Sequence, residues 1–260
     1  PAAVHSLLAD QSLGEAGRTV VVEEFMRGEE LSVFALTDGE RVLPMIPAQD
    51  HKRVGEGDTG PNTGGMGAVS PVNFATPAFM QRVENEVVKP TIEALKREAI
   101  DYKGFIFVGI MNVGGRPFVI EYNARMGDPE TQAIMPRIKS DFVEVLVAAA
   151  RGELKGKQIE IDPSHAVTVA LVSGGYPGDY PKGKVIEGLT STSDNLIFHA
   201  GTKDHSGKIV TEGGRVVAVT GKGTSLEHAR KTAYEKVSEI SWDGLYFRKD
   251  IGIDLLNYKG

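Results

Sequence analysis

The sequence predicts an α+β fold, an antiparallel sheet with helices, on three observations. Runs rich in β-branched residues recur along the chain, and two-residue turn signals at Asp38-Gly39 and Gly114-Gly115 separate pairs of them, the pattern of antiparallel hairpins. Apolar residues take helical spacing in only a few places. A polar, charge-rich stretch at residues 151–163 divides the 260 residues into two parts, each close to the roughly 100–200 residues of an ordinary domain.

The elements follow in order. Val4, Leu7 and Leu8 give a short amphipathic helix over residues 2–9, broken by Gly14 and Gly17. Residues 20–26, 31–37 and 41–46 read as three antiparallel strands. Periodicity then disappears from 47 to 71, and six of the thirteen residues in 55–67 are glycine. A structureless loop of that length inside a compact domain is usually functional or disordered. Met80, Val83, Val87, Ile92, Leu95 and Ala99 share one helical face, which Pro90 should kink or split. Residues 105–113 and 116–123 read as strands, and 140–150 as a helix stopped by Gly152. After the boundary, strands are expected at 165–173, 196–201 and 215–220. A last helix carries Leu226, Ala229, Ala233, Val237 and Ile240, with Thr224 and Glu227 as a capping box.

Composition narrows the function classes. Acidic residues outnumber basic ones, 35 to 29, for a net charge of −6, so no broad attraction to nucleic acid or to an anionic membrane is expected. The absence of cysteine removes disulfides, thiolate metal sites and cysteine nucleophiles, and is compatible with a reducing cytosol. No apolar run approaches the roughly 18–20 residues of a membrane span. The six histidines show no metal-ligand spacing and no G-x-S-x-G elbow occurs, so zinc and serine hydrolase chemistry drop out. Glycine is in excess, at 31 residues, well above the usual roughly 7%.

Three stretches carry candidate chemistry. In V-I-E-Y-N-A-R, Glu121 and Asn123 lie two apart on a strand and so share a face, with Phe118, Ile120 and Tyr122 expected to pack on the other. A carboxylate beside an amide oxygen suits Mg²⁺, and Arg125 just beyond the strand end suits a phosphoryl or carboxylate oxygen. A two-residue turn at Gly114-Gly115 would set Glu121 opposite Val108, on a face where the neighbouring strand offers no further carboxylate. The same spacing also occurs on ordinary exposed sheet edges. In E-E-F-M-R-G-E-E, residues 23–30, a strand running into a short connector can read an adenine edge, with an acid a turn later for ribose; acidic surface hairpins share this composition. In D-T-G-P-N-T-G-G-M-G, residues 58–67, bare main-chain amides could approach an anion, with Lys52 and Arg53 nearby, although a mobile loop has the same composition. It is neither a Walker P-loop nor a dinucleotide fingerprint.

These stretches, with Q-D-H-K-R-V-G, N-A-R-M-G-D-P-E-T-Q, S-G-G-Y-P-G-D-Y and Y-F-R-K-D-I-G, occur in the order seen in the glycinamide ribonucleotide synthetase family of the ATP-grasp superfamily. The chain resembles that family over essentially its whole length. The resemblance implies an N-terminally truncated ATP-grasp domain over 1–153 and the family's small mixed α/β C-terminal domain over 154–260. It implies ATP-dependent ligation of glycine to 5-phosphoribosylamine through a glycyl phosphate, in purine biosynthesis in the cytosol, with Mg²⁺ or Mn²⁺. By position, Glu23, Glu24, Phe25 and Met26 resemble the adenine connector and Glu30 the ribose ligand, while Arg53 and Asn62 lie near the nucleotide phosphates. Glu121 and Asn123 resemble the metal ligands and Arg125 the arginine that steadies the acyl phosphate. Gly64, Gly65, Met66, Gly67 and Asp128 resemble substrate contacts. Family members begin with a further domain and a triphosphate grip that have no counterpart here, so the chain is expected to need that N-terminal part of the same enzyme as its partner and to lack ligase activity alone; fusion to other purine-synthesis enzymes is also open. A carboxylase-type ATP-grasp enzyme and a non-catalytic nucleotide-binding module are the competing readings.

Overall fold

The structure, a computed structural model, describes residues 2–8, 14–192 and 194–259. It opens with α1 (Ala2–Leu8); residue 9, the expected end of this helix, lies outside the described residues. After one 3₁₀ turn, Gly14–Arg18, residues 19–28 carry no regular structure and expose Val21, Val22 and Phe25. The strand expected at 20–26 is therefore not formed. β-branched residues favour a strand only where a ladder and a core receive them, and among the described residues no strand pairs with this segment.

β1 (Glu29–Thr37) and β2 (Val42–Pro44) form the first hairpin. Its turn takes four residues rather than two, because Asp38 Oδ1 accepts from the N–H groups of Glu40 and Arg41 at 3.0 and 2.7 Å. The glycine-rich stretch, expected to be structureless, holds β3 (Gln49–Asp50), β4 (Arg53–Gly55), β5 (Thr59–Asn62) and β6 (Gly67–Ser70). These strands are two to four residues long, too short to show a period; β4 and β5 pair with each other, β3 pairs with β6, and β6 is held by the distant β9.

α2 (Pro77–Val83) is capped by Thr76, whose Oγ1 accepts from Phe79 N–H at 3.2 Å. One π-type turn, Glu84–Val88, joins it to α3 (Lys89–Arg97), so the helix divides just before Pro90 as expected. β7 (Gly104–Val113) and β8 (Arg116–Asn123) form the second hairpin, with Gly114 and Gly115 both at positive φ. α4 (Glu130–Ile134) and one 3₁₀ turn follow, which the sequence did not announce. α5 (Phe142–Arg151) is capped by Asp141 and stopped by Gly152 at φ 81°. The second part comprises β9 (His165–Ser173), β10 (Asn195–His199), β11 (Thr202–His205), β12 (Lys208–Thr211), β13 (Arg215–Gly223), α6 (Leu226–Glu239), β14 (Leu245–Tyr246) and α7 (Ile253–Leu256). The cap of α6 is Ser225, whose Oγ accepts from His228 N–H at 3.2 Å. Thr224 is thus one residue outside the box expected for it.

A four-stranded antiparallel sheet runs β2–β1–β7–β8. One of its faces, with Val33, Ile106 and Val108, packs on Val83, Val87 and Ile92 of the helices. The other carries Phe34 and Phe107 against Met45 and Ile134. A six-stranded antiparallel sheet runs β10–β13–β9–β6–β3, and β14 also pairs with β9. It takes β3 and β6 from before the 151–163 stretch and its other strands from after it. Ala229, Ala233 and Val237 of α6 are buried against this sheet, as their spacing predicts. A bridge between Ser32 and Ala48 links the two sheets. No helix among the described residues is long and apolar enough to cross a membrane.

If Ser225 is the working cap, Ser225→Ala lowers unfolding free energy by about 1 kcal/mol. Thr224→Ala stays within about 0.5 kcal/mol of the parent. Urea denaturation of the two variants checks this, and equal losses would return the cap to Thr224.

Candidate functional site

The strand V-I-E-Y-N departs from the expected register. Phe118, Val119, Glu121 and Tyr122 of β8 pair with Met111, Ile110, Gly109 and Val108 of β7, so Ile120 is the extra residue of a β-bulge. A one-residue shift moves a side chain to the other face of a sheet. Glu121 therefore sits opposite Gly109, not Val108, and shares its face with Asn123 and with Ser32 and Glu30 of β1, which pair with Gly109 and Met111. The neighbouring strand still offers no carboxylate on this face, as expected, but Glu30 of β1 lies two strands away on the same side. The bulge also splits the residues meant to pack together. Phe118 and Tyr122 stay 37% and 50% exposed on an edge strand, with the Tyr122 hydroxyl bonded to Thr91 at 3.0 Å.

Lys52 reaches across to this face and pairs with Glu30 through a short contact. Burial alone would pull its ammonium down, but Glu30, then Asp50 and Glu121, outweigh that and hold it above the ordinary lysine value. Asp50 completes the cluster. Its Oδ1 is buried with no hydrogen-bond partner. Burial, reinforced by the Glu130 carboxylate, pushes Asp50 well above the usual carboxylate range, against the pull of Lys52. Glu130 is itself buried and accepts from Ser32 Oγ at 2.7 Å. Asn123 Nδ2 donates to Glu121 Oε1 at 3.3 Å; turning that amide over presents its oxygen beside the carboxylate, two hard donors on one side of one strand. Among the described residues no group of three or more His, Asp or Glu is arranged to hold a metal. The donor set thus fits a cation that keeps waters and ligand oxygens, as Mg²⁺ does, and not an all-protein cage. Arg125 is exposed beyond the strand end, with one contact to Met126 O at 3.3 Å.

The glycine-rich stretch is ordered by its surroundings. Arg53 and Asn62 face each other at the base of the β4–β5 hairpin, and Arg53 Nη1 donates to Gly60 O at 2.7 Å. Arg248, 2% exposed, grips the same hairpin: Nη1 donates to Arg53 O at 3.0 Å and Asp58 Oδ1 at 2.8 Å. Its Nε and Nη2 form a bidentate pair with Asp250, which also accepts from Gly57 N–H. The amides of Thr63, Gly64, Gly65 and Met66 donate to Lys52 O, the Tyr176 hydroxyl, Thr63 Oγ1 and His51 O. The row of free amides expected to meet an anion is therefore spent inside the protein. Glycine serves close approach instead. Gly65 has φ +114°, and a Cβ there would overlap Pro129 and come within 2.7 Å of Asp50 Oδ1. Met66 is fully buried and Gly67 lies within β6, so these two anchor the loop from the core. Asp128 is exposed and pairs with Arg215 at 3.1 Å. Glu23, Glu24 and Phe25 are exposed, and Met26 half-buried, on the segment without regular structure; Arg27 lies over the Phe25 ring at 5.9 Å.

With this geometry in place, comparison with known proteins is decisive at the level of family. A profile of the phosphoribosylglycinamide synthetase ATP-grasp (A) domain matches residues 1–131, and one of the C domain of the same synthetase matches 166–254. The chain belongs to the phosphoribosylglycinamide synthetase family. A phosphoribosylamine–glycine ligase of Vibrio vulnificus is 49% identical over 253 residues, 96% of this chain and 59% of that protein. One of Pseudomonas aeruginosa is 49% identical over 254 residues, with the same shares. The chain thus spans about three-fifths of the length of these relatives. The crystal structure of a Thermotoga maritima phosphoribosylamine–glycine ligase superposes with a TM-score of 0.80 at 38% identity, covering 88% of this chain and 57% of that one. The biotin carboxylase domain of a Hydrogenobacter thermophilus 2-oxoglutarate carboxylase reaches 0.60 at 15% identity, over 89% of this chain and 54% of that one, a likeness of fold. For a member of this synthetase family, the stretches that sequence reasoning left without a role are Y-F-R-K-D-I-G, which supplies Arg248, and S-G-G-Y-P-G-D-Y, which supplies Tyr176. Asp50 lies in Q-D-H-K-R-V-G and Glu130 in N-A-R-M-G-D-P-E-T-Q, each without an expected role, and Arg215 has no sequence signal at all.

Two outcomes follow. Because the folded carboxyl of Asp50 holds its proton to higher pH than the unfolded one, the folded state binds more protons between the two values and loses stability as pH rises. Asp50→Asn removes this slope: relative to the parent it gains stability from about pH 4 upward and matches it below the unfolded carboxylate value near about 3.9, as urea titrations at several pH values would show. Arg248→Ala leaves Asp250 without its cation and costs about 3–5 kcal/mol, measured the same way; a loss under about 1 kcal/mol would class the pair with ordinary surface bridges.

Proposed function

We propose that this chain forms the metal-binding and substrate-facing part of an ATP-dependent carbon–nitrogen ligase that joins glycine to 5-phosphoribosylamine, giving glycinamide ribonucleotide, ADP and phosphate. In this reading residues 1–153 belong to the ATP-grasp domain and 154–260 to the C-terminal domain. The observation that carries it is the face shared by Glu30, Glu121 and Asn123 within the stretch matched by the synthetase's ATP-grasp profile.

The chemistry divides into two displacements. A carboxylate oxygen of glycine attacks the γ-phosphorus of ATP, and the bond to the β,γ-bridging oxygen breaks as ADP leaves. The amine of phosphoribosylamine then attacks the carbonyl carbon of the glycyl phosphate, loses a proton, and phosphate departs. Such transfers depend on positioning and charge neutralisation more than on covalent help from the protein. Glu121 and Asn123 would hold Mg²⁺ or Mn²⁺, which neutralises phosphate oxygens when bound. Arg125, exposed beyond β8, faces the acyl phosphate. Glu30, paired with Lys52, accepts ribose hydroxyls, and the connector at Glu23, Glu24, Phe25 and Met26 meets the adenine. Arg53 and Asn62 lie toward the phosphates, while Gly64, Gly65 and Asp128 face the substrate and Met66 and Gly67 hold that loop to the core.

The test is ADP release by the intact protein that carries this chain. Glycine together with fresh phosphoribosylamine should elicit metal-dependent turnover, and bicarbonate should not. Glu121→Ala is expected to lower turnover by about 10²-fold or more, the scale of losing a group that stabilises developing charge. Bicarbonate-dependent release would favour the carboxylase reading, and binding of ATP without turnover would favour a non-catalytic module.

A further inference from the structure

The loop proposed to meet substrate is held by Arg215, which no motif identifies, and by Tyr176. Arg215 stands at the start of β13, beside a bulge in its pairing with β9. Its Nη1 donates to Gly64 O at 2.7 Å and to Asp128 O at 2.8 Å, lies 3.4 Å from Gly65 O, and pairs with Asp128 Oδ1 at 3.1 Å. One guanidinium nitrogen thus joins the glycine loop to the segment that follows the Glu121–Asn123 strand. Tyr176 takes the other backbone group of the same residue, its hydroxyl accepting from Gly64 N–H at 3.0 Å. The two side chains are one block. The Tyr176 ring rests on Gly214, the residue before Arg215, where a Cβ would come within 2.9 Å of Cε2 and within 3.0 Å of Tyr180. Gly64 therefore has its N–H and its C=O both engaged by residues more than a hundred positions away, in the part of the chain matched by the C-domain profile.

We infer that Arg215, seated by Tyr176 and Gly214, is a positioning residue that sets the distance between the Gly64–Gly65 turn and Asp128, and so the width of the substrate opening. Both partners remain within reach of solvent, Arg215 at 24% and Asp128 at 54% side-chain exposure, which places the tie at the mouth of the site and not in the core. Lysine does not reproduce it: the guanidinium plane lies against Gly64, where a Cβ would come within 3.0 Å of Cζ and Nη2 and 3.3 Å of Nε, and a point-like ammonium has no such plane to fix its direction. A displacement of the order of 1 Å at such a tie is enough to cost about 10²-fold in rate. The inference rests on the ligase reading for the identity of the substrate, but not for the existence of the tie.

The experiment uses the intact protein that carries this chain, as parent, Arg215→Gln, Arg215→Lys and Tyr176→Phe. Hydrogen exchange is followed over 63–66, 127–131 and 165–173. Expected is exchange at least about tenfold faster in the first two stretches of both Arg215 variants, as one tie of about 1.4 kcal/mol would give, with 165–173 unchanged. In turnover assays the KM for glycine or phosphoribosylamine should rise by about tenfold or more while the KM for ATP stays within about twofold, and lysine should not restore it. Tyr176→Phe should speed exchange at 63–66 alone. Unchanged exchange in both loops overturns the inference. So does faster exchange that extends through 165–173, or an equal rise in the KM for ATP, since either marks a general structural role. If the parent shows no ligase turnover, the ligase reading fails and the exchange pattern still decides whether the tie exists.

Discussion

The site depends on one pairing: Gly67–Ser70 laid antiparallel along Val169 to Ala166 of β9. That short ladder places an N-terminal strand beside the central strand of a sheet otherwise supplied mainly by the second part of the chain. Gln49 and Asp50 then pair with Val69 and Ala68. The hairpin between them is therefore tethered at both ends to one rigid sheet. An isolated two-stranded hairpin is marginal in water, and this one has an exposed second strand and a glycine-rich turn. Its order comes from outside, through the β6 ladder at its base, Arg248 and Asp250 at its tip, and Arg215 and Tyr176 just beyond it.

The electrostatics follow from this tethering. Fixing Asp50 in β3 puts its carboxyl under Gly65 and near Glu130, with Oδ1 buried and without a donor. Lys52, two residues on, points to the same side of the chain and satisfies Glu30 instead. Glu30, Asp50 and Glu121 thus act on the Lys52 ammonium, while Glu130 and the Arg215 guanidinium act on Asp50. Burial of like charges at this density is unfavourable unless protons or cations offset it. The fold offsets part of it by keeping Asp50 toward its neutral form, and leaves Glu121 at the exposed edge, where a cation can approach.

Much of this was legible in the sequence, and the failures share a cause. The β7–β8 hairpin, the division of the helix at Pro90 and the apolar face of α6 depend on turn chemistry and on periods contained within one segment. So did the shared face of Glu121 and Asn123, which needs only a two-residue repeat. Which face of the sheet that would be could not be read, because the bulge at Ile120 is a property of the pairing with β7. The strand expected at 20–26 and the loop expected at 47–71 err in opposite directions for one reason. In the first, β propensity is present without a partner; in the second, partners are supplied by β9 and by the C-terminal segment to residues of poor propensity.

The excess of glycine shows the same dependence. Glycine in 58–67 reads as an anion cradle if amides are assumed free, since bare backbone is what such cradles need. Free amides require that nothing else reach them, and here Tyr176, Thr63 and His51 reach three in succession. What the glycines permit is the close approach of Pro129, Asp50 and Arg215 to the chain. A side chain at Gly65 would collide with a proline and a carboxylate that belong to two different segments, so the loop could not close over β3 while touching the Asp128 turn. The stretch is a junction where three parts of the chain meet at backbone distance. In the ligase reading proposed above, its contribution is the fixed placement of Asp128, Arg53 and Asn62 around that junction.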